Sequence, residues 1–148
     1  MRETDWDGQV AKICKVLIVE NDDYIRELLG EAFDSEGFLF SLIASGAAME
    51  DALDEDDYDI VIIDVTQPGD KDGIALGKIA HEQGCGVILT TGDHRHAERL
   101  EQSGRHHLLK PFRLQNLMSL VDQILTAASN ECVRRQRRDG SYFPARGE

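Results

Sequence analysis

Several short apolar runs in this chain each end in residues that can handle a charged oxyanion. Val16-Leu17-Ile18-Val19 runs into Glu20-Asn21-Asp22-Asp23, and Ile60-Val61-Ile62-Ile63 ends in Asp64. Val87-Ile88-Leu89-Thr90 leads to Thr91-Gly92, and His107-Leu108-Leu109 ends in Lys110-Pro111-Phe112. Acid cluster, lone aspartate, hydroxyl and lysine thus follow one another in chain order. A carboxylate that attacks a phosphoryl group meets a strongly anionic target, so that charge must first be neutralised. Magnesium does this while binding one or two carboxylates plus phosphate and keeping several waters. Glu20, Asn21 and Asp64 supply oxygens of that type. Lys110 adds a point charge for a phosphoryl oxygen, with Asp64 as its partner in the unmodified site, and Thr91 adds a hydroxyl donor. Positioning and electrostatics carry most phosphoryl-transfer catalysis, which is what such a set offers.

The elements that must hold these residues are legible in the hydrophobic pattern. From Lys15 onward, short β-type runs alternate with amphipathic stretches, the signature of βαβ units and a parallel sheet. The first strand, Val16–Val19, precedes a helix with Ile25, Leu28, Leu29, Ala32 and Phe33 at helical spacing. The second strand, Phe38–Ile43, is interrupted by polar residues and belongs nearer an edge. A short helix over Ala47–Leu53 ends in the acidic run Asp54-Glu55-Asp56-Asp57, which reads as a solvated loop. Ile60–Ile63 is the third strand, and a helix follows from Asp72-Gly73 through Ile74, Leu76 and Ile79. Val87–Thr90 is the fourth strand, His96–Gln102 a weak fourth helix, and His107–Leu109 the short fifth strand. The last helix places Leu114, Leu117, Val121, Ile124 and Leu125 on one face. Met118 and Leu120 lie off that stripe and read either as a wide buried face or as an apolar patch for a partner. In such an open sheet the carboxyl ends of the strands share one crevice, where ligands bind.

Taken together, the acid cluster after the first run, Asp64, Thr91-Gly92 and Lys110-Pro111-Phe112 resemble the receiver domain of two-component response regulators. The resemblance covers roughly Lys15 to Ala128. It implies an α/β fold, a doubly wound five-stranded parallel sheet of the (βα)5 flavodoxin-like type. It implies Asp64 as phosphoacceptor, with Mg2+ held by Glu20, Asn21, Asp64 and the backbone carbonyl of Thr66. Lys110 and Thr91 would stabilise the phosphoryl group, Thr91 and His107 would act as switch residues, and the Lys110–Pro111 bond would be cis. Asp22 and Asp93 are auxiliary candidates, Asp22 at the metal and Asp93, with Thr66, beside the path of attacking water. The implied phosphodonor is a histidine kinase or a histidine phosphotransfer protein. The implied output is a protein target, or a second copy of the chain, meeting the face of the fourth helix, fifth strand and fifth helix.

Each residue also has a plainer reading. Asp64 before Thr-Gln-Pro-Gly is good turn chemistry, and Glu20 to Asp23 could serve only to cap the following helix. Lys110 could be a surface charge, and His107 a half-exposed edge residue. Two departures from the family pattern bear on function. Asn21 stands where a second acid is usual, so the metal site loses a charge. The loop Thr66-Gln67-Pro68-Gly69-Asp70-Lys71-Asp72-Gly73 carries one residue more than usual between proline and Asp-Gly, which a surface loop absorbs easily. These departures motivate the alternative of a phosphorylation-incompetent receiver that acts as a constitutive protein-binding module. A phosphohydrolase is disfavoured, because the position two after Asp64, where such enzymes need a second aspartate, is Thr66.

Length and composition bound the rest. With 148 residues, 41% of them hydrophobic and 30% charged, the chain suits one soluble domain. No apolar run approaches the ~20 residues of a membrane span, and the acidic start lacks a signal-type apolar stretch. A cytoplasmic, non-enzymatic signalling protein is the expectation. The formal net charge of -12 argues against nucleic acid as the main partner, and no DNA-binding domain is expected. A local exception is the final stretch, where Arg134, Arg135, Arg137, Arg138 and Arg146 outnumber Glu131, Asp139 and Glu148. The expected organisation is a flexible segment over 1–14, a receiver over 15–128 and a flexible basic tail over 129–148. Cys14, Cys85 and Cys132 are far apart and odd in number, which suggests neither a disulfide framework nor a zinc site.

Overall fold

Ile60 to Ile63 carry no polar side chain, a composition that suits a strand covered on both faces, and every residue of β5 (Ile60–Asp64) is buried. The structure, a computed structural model, describes residues 4–6, 9–66, 72–127 and 132–133. β5 lies at the centre of a five-stranded parallel sheet with β3 (Lys15–Val19), β4 (Leu39–Ile43), β6 (Gly86–Thr91) and β7 (His106–Leu109), in the order β4-β3-β5-β6-β7. The helices are α1 (Asp23–Ser35), α2 (Met49–Glu55), α3 (Gly73–Glu82), α4 (Ala97–Gln102) and α5 (Leu114–Ala127), with 3-10 turns at Gly46–Ala48 and His94–His96. The fold is the doubly wound α/β sheet that the sequence pattern implies. β4 takes an edge, as its interrupted pattern suggests.

Because side chains alternate along a strand, the central strands divide their residues between two cores. Val16, Ile18, Ile60, Ile62 and Ile88 pack beneath α1 and α5, where Phe33, Phe38, Leu117 and Val121 are fully buried. Leu17, Val19, Val61, Ile63 and Leu89 face α2, α3 and α4 through Met49, Leu76 and Leu100. Met118 and Leu120 pack against the first of these cores. That favours the wide buried face over an outward patch, and Leu114 is the large apolar residue that α5 exposes.

Ahead of the sheet, in the expected flexible segment, β1 (Thr4–Trp6) and β2 (Gln9–Ile13) pair antiparallel. β2 also pairs in parallel with β8 (Cys132–Val133), Lys12 opposite Cys132. Gln9-Val10-Ala11-Lys12-Ile13 lacks a strict apolar–polar alternation, so its strand character rests on pairing with β1 and β8 and not on a local pattern. The remainder of the 129–148 tail and the long loop over 67–71 lie outside the described residues. Cys14, expected to be unpaired, is disulfide-bonded, whereas Cys85 is free and buried. Wide sequence spacing conceals such a bond, because the β2–β8 pairing that joins the chain's ends is not a local feature.

Two local devices set where α3 begins. The Asp72 carboxylate caps the helix by accepting from the Ile74 N–H at 3.0 Å. Gly73 then lies so close to the turn after β5 that a Cβ there would stand 2.5 Å from the Val65 Cα. That contact is backbone, which cannot rotate away, so only glycine allows α3 to start against the end of the central strand. Gly73→Ala is therefore expected to cost about 1–3 kcal/mol through forced backbone movement, read as a lowered midpoint in urea denaturation. An unchanged midpoint would show that this approach does not constrain the fold.

Candidate functional site

The register of the sheet brings the chemical residues to one edge. Val19 is paired with Ile63, Asp64 with Thr90, and Thr91 with Leu109. The ladder continues past the strands, with the Lys110 N–H donating to the Thr91 carbonyl at 2.7 Å. Glu20, Asp64, Thr91 and Lys110 thus emerge together at the carboxyl ends, where the order β4-β3-β5 reverses direction and ligands bind in open α/β sheets. The Lys110–Pro111 bond is cis, as the resemblance implies.

Glu20 and Asp64 are each only 2% exposed. Between them lies the Lys110 ammonium, which donates to Glu20 Oε1 at 2.7 Å and to Asp64 Oδ2 at 3.0 Å. The other Glu20 oxygen accepts from the Asp22 N–H at 3.1 Å. Asp64 Oδ1 accepts from the Thr66 N–H at 2.9 Å and from the Thr66 hydroxyl at 2.5 Å. Burial disfavours both carboxylate charges. Even so, the Thr66 donors, Glu20 and Lys110 together hold Asp64 below the usual aspartate range. Glu20 goes the other way: burial and the neighbouring Asp64 outweigh Lys110 and leave it above the usual glutamate range. Burial also opposes the Lys110 charge, but its two carboxylates prevail and raise its pKa. The two carboxyls that share Lys110 are thus pushed in opposite directions, Asp64 downward and Glu20 upward.

The other predicted residues occupy distinct places. Asn21 is exposed at the rim. Asp22 turns its carboxylate to the Ile25 N–H at 2.9 Å and caps α1, so the plainer capping role is the one its side chain shows. Asp93 likewise caps the 3-10 turn through the Arg95 N–H and pairs with the Arg95 guanidinium, which holds its carboxyl well below the usual range. His107 Nδ1 lies 3.1 Å from the carbonyl of Arg105, just before its strand. Thr91 is fully buried, its hydroxyl oxygen accepting from the Asp93 N–H at 3.1 Å and lying 3.2 Å from His96 Nδ1.

Sequence reasoning missed the contacts of three residues. Arg26 secures the turn before α1, donating to the Glu20 carbonyl at 2.9 Å and pairing with Asp23 at 2.5 Å. Its spacing from Asp23 was the available signal. The Thr66 hydroxyl on Asp64 and the His96 ring beside Thr91 had none, since both depend on how turns fold back over strand ends.

The donor set suits Mg2+. Two buried carboxylates converge with hard oxygens, and Asn21 and the Thr66 carbonyl lie next to them in sequence. Any cation must share those carboxylates with Lys110. A raised pKa also means that the Glu20 charge costs folding stability. For an acid raised in the folded state, the contribution to stability is full below the unfolded pKa and is lost as pH rises through the folded one. In metal-free buffer near pH 7, Glu20→Gln is therefore expected to unfold at higher denaturant than wild type. The gap should close below about pH 4, where the glutamate is neutral in both states. A Glu20→Gln protein less stable at neutral pH would contradict this.

Comparison with known proteins supports one family. The response regulator receiver domain matches residues 16–122. The transcriptional regulatory protein GltR of Pseudomonas aeruginosa is 32% identical over 126 residues, 80% of this chain and 52% of its own. The TorCAD operon transcriptional regulatory protein TorR of Escherichia coli is 29% identical over 114 residues, 74% of this chain and 49% of its own. The chain thus spans about half the length of these curated relatives. Among solved structures, response regulator protein TrrA of Thermotoga maritima in complex with Mg2+–BeF has the same fold. Its TM-score is 0.69 at 24% identity, covering 76% of this chain and 100% of its own. With most of its length matched by that family, strand ends included, this chain belongs to the response regulator receiver domains of two-component systems.

Proposed function

We propose that this receiver accepts a phosphoryl group on Asp64 from a histidine kinase or a histidine phosphotransfer protein, with Mg2+ bound, and signals through protein contacts. The observation that carries the reading is the Asp64 carboxylate, buried at the strand-order reversal and kept ionised beside Lys110 at 3.0 Å. A nucleophile must be charged and positioned, and few buried aspartates are both.

In the transfer, an Asp64 oxygen bonds to phosphorus as the phosphorus–nitrogen bond to the donor imidazole breaks. The departing imidazole leaves neutral once its phosphorylated ring has kept its proton. Lys110 stays near the new group and neutralises part of its charge. Thr66 gives up at least one of its hydrogen bonds to Oδ1 if that oxygen attacks. The ligands for Mg2+ would be Glu20, Asn21, Asp64 and the Thr66 carbonyl, and the ion supplies charge neutralisation at the phosphoryl oxygens. An amide at Asn21 coordinates without adding charge, so metal affinity should fall below that of a site with a further carboxylate. Thr91, 0% exposed at the end of β6, is the donor that would follow the phosphoryl group. Its movement would reach the face of α4, β7 and α5, where Leu114 is exposed. That face is the surface for a target protein or a second copy of the chain.

Incubation with acetyl phosphate and Mg2+ is expected to add one phosphoryl group by intact-mass measurement. Chelation or Asp64→Asn should abolish the gain. Stoichiometric labelling of Asp64→Asn would overturn the assignment of the acceptor. Absence of labelling together with absence of saturable Mg2+ binding would favour the constitutive binding module.

A further inference from the structure

The Thr91 hydroxyl is buried and carries one proton that needs an acceptor. A threonine hydroxyl donates once and accepts through its lone pairs, and buried polar groups rarely go unpaired. The Asp93 N–H, 3.1 Å away, is a donor and uses a lone pair. Among the described residues, the group left to take the Thr91 proton is His96 Nδ1 at 3.2 Å. We infer that His96 is a positioning residue for the switch: its neutral Nε2–H tautomer accepts the Thr91 hydroxyl proton and holds that hydroxyl back from Asp64.

The surroundings fix His96 in this role. Asp93 places the 3-10 turn that carries the ring, its carbonyl accepting the His96 N–H at 3.0 Å and its carboxylate the Arg95 N–H at 2.9 Å. Arg99 on α4 forms an ion pair with Asp72, the cap of α3. The turn and the start of α4 are thus tied to the loop that follows the acceptor strand. Under the function proposed above, on which this inference rests, Thr91 can donate to a phosphoryl group only after leaving His96. That exchange sets part of the threshold for switching, and it moves the turn that leads into α4. The chain has therefore placed an imidazole acceptor, five residues from the switch threonine, in direct competition with the phosphoryl group.

Two readouts test this. The first is the tautomer, from long-range proton–nitrogen NMR of the imidazole rings, with His96→Asn assigning the signal. The expected result is an unprotonated Nδ1 whose resonance moves in Thr91→Val. A protonated Nδ1, or no change in Thr91→Val, overturns the inference without any bearing on Asp64. The second is the affinity for beryllofluoride in the presence of Mg2+. His96→Leu should bind about 2- to 10-fold tighter, the worth of one hydrogen bond that no longer has to be broken. His96→Asn, which restores an acceptor near Nδ1, should return towards wild type, and the His96→Leu effect should vanish in a Thr91→Ala background. Equal effects of Leu and Asn, or an effect that persists without the Thr91 hydroxyl, would mean that His96 acts only through packing and would overturn the inference. Failure of the wild-type protein to bind beryllofluoride would count against the phosphoacceptor reading, and the tautomer would still decide the His96–Thr91 bond.

Discussion

One ammonium group bridging two buried carboxylates governs this site. Lys110 reaches Glu20 and Asp64 across the sheet from the end of β7 and pairs with both. Buried ion pairs contribute little net stability, because desolvation consumes most of the Coulombic gain. Three such charges in one crevice are therefore better explained by chemistry than by folding. The remainder of the architecture serves to hold them: strands in register, a glycine that lets α3 start against Val65, and Arg26 and Asp22 fixing the turn that carries Glu20. The unequal pKa directions follow from the same geometry. One lysine is shared by two carboxylates, so the one with additional Thr66 donors is pushed below the usual aspartate range while burial and Asp64 push Glu20 above the usual glutamate range.

Much of this was legible in the residues because the informative elements are the buried ones. β3, β5 and β6 are nearly uninterrupted apolar runs, and their ends could be read as chemistry once they were taken for parallel strands. The Asp72-Gly73 pair marked where α3 begins, and the structure supplies the reasons, a cap and a close backbone approach. What stayed hidden depends on chain segments meeting across the fold. Cys14 is bonded although the cysteine spacing suggested nothing, and β2 pairs with β8 across nearly the whole chain. Asp22 and Asp93, plausible auxiliaries at the site by type and position, spend their carboxylates on caps in this state. His96 could not be distinguished from a surface histidine until the turn was seen to fold back on Thr91.

The two departures from the family pattern differ in their consequences. The lengthened loop falls on residues 67–71, outside the described part of the structure. Asn21 would bear directly on a bound Mg2+ under the proposed function, since it leaves Glu20 and Asp64 as the buried carboxylates at these strand ends. Membership of the receiver family does not itself guarantee a working switch. The question for this chain is whether those two carboxylates, already shared with Lys110, still hold a cation.

Calorimetric titration with Mg2+ answers that most directly, using wild type, Asp64→Asn and Glu20→Gln side by side. Saturable binding by wild type that is lost or strongly weakened in both variants is the expected result, because both carboxylates are needed to hold the ion against Lys110. Binding of equal strength in all three proteins would place the cation elsewhere and contradict the account of this site.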